Sequence, residues 1–488
     1  MSSMDYFIGV DIGTTSTKAV AFLATGKVLA KQACSYPMLH PQENWHEQNP
    51  ETILEAVVSS LVALSIQLPQ HKPVLISFSA AMHSLILMDK NDLPLTNCII
   101  WADNRAAELA TTLRATAKGK KIYHATGVPI HAMSPLCKML WFKKNEPALF
   151  SSAAKFIGIK EFVFQRLFAK YIVDTGIASA TGLLNSVELR WEKMSLTLLG
   201  IKEQQLSAIV SSKQIEYLPA VNDNEFTKRL HAFKATAFIT GSSDGALANV
   251  GTGATAKDSM AITIGTSSAA RITTTQPATD TDMRTFCYHI SGGQYVIGGA
   301  SNNGAIVIQW LKENLLQDKR PYAQFINLAC SIAPGSEGLL LLPYILGERA
   351  PLWNSAARGI YFGLDIKHTM NHMVRAAMES VIYNVYSIGK ILMEKANLTT
   401  IYVSGGFTES SLWIQMLADI FNLPVKVSMA EESAALGAVM VGIEALQLPS
   451  SIDVEIGKTF FPDQINLLIY QQQCAKMERL YALVKYEF

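Results

Sequence analysis

The chain has 488 residues, 49% of them hydrophobic, enough for two or three domains with full cores. Lys and Arg number 41 against 40 Asp and Glu, a formal charge of +1 with no long basic or acidic run. That balance speaks against non-specific binding to nucleic acid or an anionic membrane, and for small-molecule partners.

The first residues, MSSMDYFIGVD, carry no basic region and meet an acid at Asp5, unlike a signal peptide. Short apolar runs then alternate with longer stretches of helical period, which predicts an α/β protein. Strands are expected over residues 6–10, 18–23, 74–79, 85–89, 261–264, 295–298 and 400–403. Helices are expected over 50–68, 105–119, 160–169, 304–314, 372–395, 411–421 and 431–446. The first helix has an opening signal in Asn49 as N-cap, Pro50 at the first helical position and Glu51 in the first turn. GLLLLPYILGERAP is too short and too interrupted to span a bilayer. Six cysteines (Cys34, Cys98, Cys137, Cys287, Cys330, Cys474) show no CxxC pair and no zinc spacing, and read as reduced thiols in a cytoplasmic protein.

FIGVDIGTTSTKAVAF sets Asp11, Thr14, Thr15, Ser16, Thr17 and Lys18 at a turn between two apolar runs. Backbone N–H groups, hydroxyls and a lysine suit phosphate oxygens; a lone carboxylate among them makes sense with a divalent cation or its water in between. A Thr-rich hairpin with Asp11 satisfied by neighbouring amides is the plainer alternative. TIGTSSAAR, from Thr263, echoes the motif and suggests two halves of similar topology, divided after Gly245.

GSSDGALANVGTG offers Asp244 among small residues, placed to accept a hydroxyl proton or simply to cap a turn. CIIWADNRAA brings Trp101, Asp103, Asn104 and Arg105 together, a set suited to a polyhydroxylated ligand; Arg105 could equally pair with Glu108. His83 in AAMHSLILMD breaks two apolar runs and reads as either structural or ligand-facing. IYVSGGFTES is a strand entering a Gly-Gly turn, able to take a flat base or to be a plain tight turn.

In order, DIGTTSTK, MHSL, WADNR, DTGIASATGLL, GSSDGALANVGTG, IGTSS, GERAPLW, SGG and ESAALGA resemble the FGGY carbohydrate kinases, a branch of the actin, Hsp70 and hexokinase superfamily. The resemblance implies two ribonuclease H-like α/β domains with a deep interdomain cleft, residues 1–245 on the sugar side and 246–488 on the nucleotide side. It implies ATP and Mg²⁺ as cofactors and phosphoryl transfer to a terminal hydroxyl. AMHSL with WADNR is most similar to the members that convert D-gluconate to 6-phosphogluconate; xylulose kinases carry a similar Met-His, and xylulose or another sugar is the alternative. Carried over, Asp244 becomes the general base and Asp11 the Mg²⁺ partner through water. Thr14, Thr15 and Lys18 become one phosphate turn, Gly265 and Thr266 the other. Gly405 and Gly406 form the adenine-side wall, Gly304 and Gln309 lie near the nucleotide, and Met82, His83, Trp101 and Asp103 face the sugar. Phe407 departs from the small residue usual after the two glycines, and the Asn expected a few residues later is absent. The partner is then a small sugar or sugar acid, with no nucleic acid and no membrane, and with a homodimer left open. An actin- or Hsp70-like ATPase switch would share the phosphate turns but have no use for WADNR or MHSL.

Overall fold

The opening stretch folds as an antiparallel hairpin of Asp5–Ile12 and Ser16–Phe22, in which Asp11 faces Lys18 and the Gly13 N–H closes the turn on the Ser16 carbonyl at 3.0 Å. The computed structural model describes residues 5–219, 224–449 and 452–488. The chain divides into two units: the first runs to Gly251 and takes in Thr274–Val296 and Ala430–Val454, and the second comprises Thr252–Thr273, Ile297–Met429 and Glu455–Phe488.

The first unit is built on a sheet ordered Ile215–Glu216, Ala237–Ser243, Lys72–Ala80, Asp5–Ile12, Ser16–Phe22 and Val28–Ser35. The three middle strands Ala237–Ser243, Lys72–Ala80 and Asp5–Ile12 are parallel. They read as nearly continuous apolar runs because both faces are covered. One face packs Ile8 and Val10 against Ile53, Val57 and Leu61 of the helix Pro50–Gln67; the other packs Phe7 and Leu75 against Val439 and Ile443 of the helix Ser433–Ala445. The signal read at the start of the first helix is correct: the Asn49 side chain accepts from the N–H groups of Glu51 and Thr52, at 2.9 and 3.2 Å.

The second unit repeats the plan. Its sheet includes, in spatial order, Tyr295–Ser301, Ser268–Thr274, Ser259–Ile264, Thr400–Ser404, Val425–Ser428 and Ile456–Phe460. Ser259–Ile264 and Ser268–Thr274 form an antiparallel hairpin, and Thr400–Ser404 runs parallel beside it. The IGT echo in the sequence is thus a repeat of one local structure. Met370–Met393 is the longest helix here, and Trp413, fully buried on Ser411–Phe421, donates its indole N–H to the Met378 carbonyl at 3.0 Å.

Two expected helices differ. The one over 105–119 is two, Ala107–Arg114 and Ala117–Thr126, because Thr116 caps the second by accepting from the Gly119 N–H at 2.9 Å. The one over 304–314 begins later, and its α-helical part is Ile306–Trp310.

Glycine permits one contact on which the first unit relies. The helix Asp244–Gly251 lies so close to Ser433–Ala445 that a Cβ on Gly437 would sit 2.0 Å from the Leu247 carbonyl oxygen. Helix propensity alone favours Gly437→Ala by about 1 kcal/mol. Backbone cannot yield as a side-chain tip can, so the overlap outweighs that gain and Gly437→Ala should destabilise by about 1–3 kcal/mol. A urea midpoint at or above wild type would show that the two helices can part without loss.

Candidate active site

Three parallel strands of the first unit end side by side. Asp11 stands opposite Ser79, and Ser79 opposite Ser242. Two strand spacings, about 10 Å, separate the strand of Asp11 from the one that leads into Asp244. Met82 and His83 follow Ala80 at the same edge. The carboxyl ends of parallel strands are where open α/β sheets bind ligands, because the turns there carry unpaired backbone groups.

Asp11 accepts the Ser79 hydroxyl through Oδ1 at 2.8 Å. Burial pushes its carboxyl above the ordinary value; the Ser79 hydrogen bond and Lys18 oppose this, and Glu432 adds to it. A cation beside Asp11 would reverse that cost. Among the described residues no three His, Cys, Asp or Glu side chains are grouped to hold a metal. A single carboxylate is nonetheless a donor set that fits Mg²⁺, which keeps several waters and takes one or two carboxylates beside phosphates.

The hydroxyl turn is braced from three sides. Tyr36 donates its hydroxyl to the Gly13 carbonyl at 2.6 Å, and Gln48 donates to that of Thr14 at 2.6 Å. The Trp101 indole donates to the Thr14 hydroxyl at 2.9 Å, which leaves the proton of that hydroxyl to donate. Thr15 is exposed. The Lys18 ammonium lies 2.9 Å from Glu432, whose other oxygen is 3.6 Å from Lys31.

Asp103 is fully buried, and both its oxygens are occupied: they accept from the His46 and Arg105 N–H groups and from the Arg105 guanidinium, at 2.8 to 3.1 Å. Arg105 pairs with Asp103 and Glu47 rather than with Glu108, and its guanidinium carbon lies 3.7 Å from the centre of the Trp45 ring. A buried guanidinium needs carboxylates more than a surface helix pair could offer. Asp103 therefore holds the loop that carries Trp101.

His83 adopts a left-handed backbone, φ 69°, and its ring Nδ1 lies 2.7 Å from the Ala180 carbonyl, which requires the proton on that nitrogen. Its Nε2 is 3.4 Å from the Tyr288 hydroxyl. Lys138, fully buried, donates to the His83 carbonyl at 2.6 Å and to that of Ile99 at 3.3 Å. Both the ring and the backbone of His83 are thus fixed before any ligand arrives.

In the second unit Gly265, Thr266, Gly304 and Gly405 converge. The N–H groups of Gly304 and Ala305 donate to the carbonyls of Thr266 and Gly265, at 3.1 and 2.7 Å. A Cβ on Gly304 would meet the Gly265 oxygen at 2.6 Å, and one on Gly405 (φ 102°) the Ile264 oxygen at 2.6 Å. On Gly265 or Gly406 it would meet nothing within 4 Å, so bare backbone faces outward at both. Phe407 turns inward against Trp413, ring centres 5.9 Å apart, and does not cover that face. Gln309 is exposed and reaches Glu313 on its own helix, at 3.3 Å.

The chain matches models of the FGGY family of carbohydrate kinases, the N-terminal domain over residues 6–251 and the C-terminal domain over 260–446. It belongs to that family. The gluconokinase of Bacillus subtilis (strain 168) is 41% identical over 469 residues, 93% of this chain and 91% of that one. The crystal structure of gluconate kinase from Lactobacillus acidophilus matches with a TM-score of 0.94 at 34% identity, over 99% of this chain and 98% of that one. Ligand-bound xylulose kinase from the same species gives 0.93 at the same identity and coverage. The fold is accordingly the two-domain α/β, ribonuclease H-like one expected from the motifs, and the reaction class is ATP-dependent phosphorylation of a sugar or sugar acid. FGGY kinases work with ATP and Mg²⁺. No helix among the described residues is long and apolar enough to cross a membrane.

Sequence reasoning on single motifs did not single out Ser79, Gln48, Lys138 or Glu432. Glu432 had a signal, since it heads the ESAALGA motif, and the structure shows that it grips Lys18.

Burial pushes the Lys138 ammonium down to about 7 from the ordinary 10.5, with Asp103 and Cys98 opposing. Between those values the unfolded chain binds a proton that the folded chain has released, so stability rises with pH. From pH 7 to 9.5 wild type should gain on Lys138→Met by about 1 kcal/mol per pH unit in urea unfolding. Parallel curves would mean that Lys138 stays charged in the fold.

Proposed function

We propose that this enzyme is a gluconate kinase, moving the γ-phosphoryl group of ATP to the terminal hydroxyl of D-gluconate. The observation that carries the reading is the 41% identity to the Bacillus subtilis gluconokinase over 93% of the chain. The geometry of the first unit supports it: a fixed histidine, an indole and a half-buried Asp244 stand near strand ends that also carry Asp11.

ATP supplies the phosphoryl group; Asp11 is the carboxylate that would hold Mg²⁺, and the ion would supply positive charge to the phosphate oxygens. Asp244 accepts the proton of the acceptor hydroxyl as the new O–P bond forms and the bond to the ADP oxygen breaks. The outward-facing turns at Thr14–Thr15 and Gly265–Thr266 donate to phosphate oxygens, and Gly405 with Gly406 offers bare backbone to the base. Met82, His83 and Trp101 line the sugar side, with Asp103 acting through the loop it anchors.

Xylulose is the second reading. Arg105, the cation nearest the sugar motifs in sequence, is committed to Asp103 and Glu47 and is not open to a substrate carboxylate, and the xylulose kinase of Lactobacillus acidophilus matches as well as the gluconate kinase does.

A panel of D-gluconate, xylulose, ribulose, rhamnulose and glycerol with ATP, followed by ADP release, should give gluconate the highest kcat/KM by at least about tenfold. Preference for an uncharged ketose would replace the first reading by the second. Asp244→Asn should lower kcat by about 10²–10⁴-fold while calorimetry finds ATP binding nearly unchanged. Retention of most of kcat would remove Asp244 from the chemistry.

A further inference from the structure

Lys160 is a cation that the fold has taken out of water: its side chain is only 4% exposed, on the helix Ile159–Phe168. Its ammonium pairs with the Asp174 carboxylate and donates to the carbonyls of Thr240 and Ser242, at 3.0 and 3.1 Å. An ammonium has three protons, and here each has an acceptor.

Those two carbonyls belong to the end of the strand that leads into Asp244, and that end is irregular. Pairing with Lys72–Ala80 shifts between Ile239 and Ser242, and Gly241 has φ 63°. The Thr240 and Gly241 N–H groups leave that ladder for the carbonyls of Gln214 and Ser212, at 3.1 and 2.9 Å. Ser242 and Ser243 then rejoin it opposite Ser79 and Ala80. A bulge of this kind re-aims whatever follows it, and the two carbonyls on either side of Gly241 are both held by one ammonium.

The anchor behind Lys160 is itself fixed. Asp174 caps the helix Thr175–Ser179 by accepting from the Ile177 N–H through Oδ1 at 3.0 Å. A Cβ on Gly176 would fall 1.9 Å from the Ser242 hydroxyl, so this short helix abuts the same strand end directly. Burial pushes the Lys160 ammonium below its ordinary value, against the carboxylates of Asp174, Glu161 and Asp244. Asp244 is therefore close enough for its charge to be felt.

We infer that Lys160 is a positioning residue, whose ammonium, anchored by Asp174, fixes the bulged strand end at Thr240–Ser242 and with it the place from which Asp244 takes the acceptor proton. The inference rests on the reading of Asp244 as the base. Stability does not explain the pair, since a buried ion pair replaced by apolar side chains of similar volume often folds as well or better. Position does: a shift of about 1 Å at a reacting group can lower the rate about 10²-fold.

The test compares Lys160→Met/Asp174→Asn, which removes both charges together, with Asp174→Asn alone and with Asp244→Asn. The double variant should melt near wild type and keep KM for sugar and for ATP within about threefold while kcat falls about 10²-fold. Asp174→Asn preserves volume and the cap acceptor and should show the same split at about tenfold, which decides the matter should the double variant not fold. A folded double variant with wild-type kcat, beside an inactive Asp244→Asn, overturns the role of Lys160 and leaves the base standing. A matched rise in KM with unchanged kcat also overturns it. Normal turnover by Asp244→Asn removes the base itself, and the inference with it.

Discussion

The register that aligns Asp11, Ser79 and Ser242 across three parallel strands is the constraint on which the first unit depends. Side chains alternate along a strand, so a slip of one residue in Asp5–Ile12 would turn Asp11 toward the core and bring Val10 or Ile12 to its place. The slip is forbidden by what the strand buries. Ile8 and Val10 go into the cluster shared with the first helix, while Phe7 goes into the one shared with Val439 and Ile443. Two dry faces therefore fix the position of a carboxylate that belongs to neither. The second unit repeats the device: Thr263 stands opposite Ser404, so Gly265 and Gly405 come to the ends of adjacent parallel strands.

Close backbone contacts carry that alignment to residues far away in the chain. A Cβ on Gly9 would lie 2.2 Å from the Ala435 carbonyl oxygen, and one on Gly251 1.9 Å from that of Ser433. The helix Ser433–Ala445 can thus lie almost on the sheet and on the helix after Asp244. Glu432, the residue before that helix, then meets Lys18 across 414 residues of sequence. Bare backbone surfaces come first, and an ion pair next to the hydroxyl-rich turn follows from them.

Local chemistry was legible in the sequence and long-range pairing was not. The cap at Asn49–Pro50, the two IGT hairpins and the helix Ser411–Phe421 each rest on a few adjacent residues, and each is found as read. Arg105 shows the limit. Its sequence neighbours offered Glu108, but the fold gives it Glu47, because Glu47 pairs with Ile99 in a strand contact that no period announces. The break after Arg114 was missed for a similar reason: an apolar period continues across Thr116, while the cap and the close passage of Gly119 against Leu113 are details of backbone path. The family resemblance sets Gly265, Gly304, Gly405 and Gly406 beside the nucleotide. Gly265 and Gly406 do face outward, but Gly304 and Gly405 are glycine because backbone presses on them.

Three buried basic side chains surround the strand ends of the first unit, and they differ in the acceptors they reach. Arg105 has two carboxylates and an aromatic face, Lys160 has one carboxylate and two carbonyls, and Lys138 has carbonyls alone. Desolvation is costly for all three, and apolar replacements would fill the same volume without it. What a basic side chain adds is direction: it holds specific oxygens at hydrogen-bond distance, whereas an apolar side chain tolerates many arrangements of its neighbours. The oxygens so held belong to the backbone of His83, to the strand end before Asp244 and to the loop that presents Trp101. Each supports a residue proposed above for the acceptor side, so the buried donors behind the strand ends order His83, Trp101 and the approach to Asp244 within the fold itself.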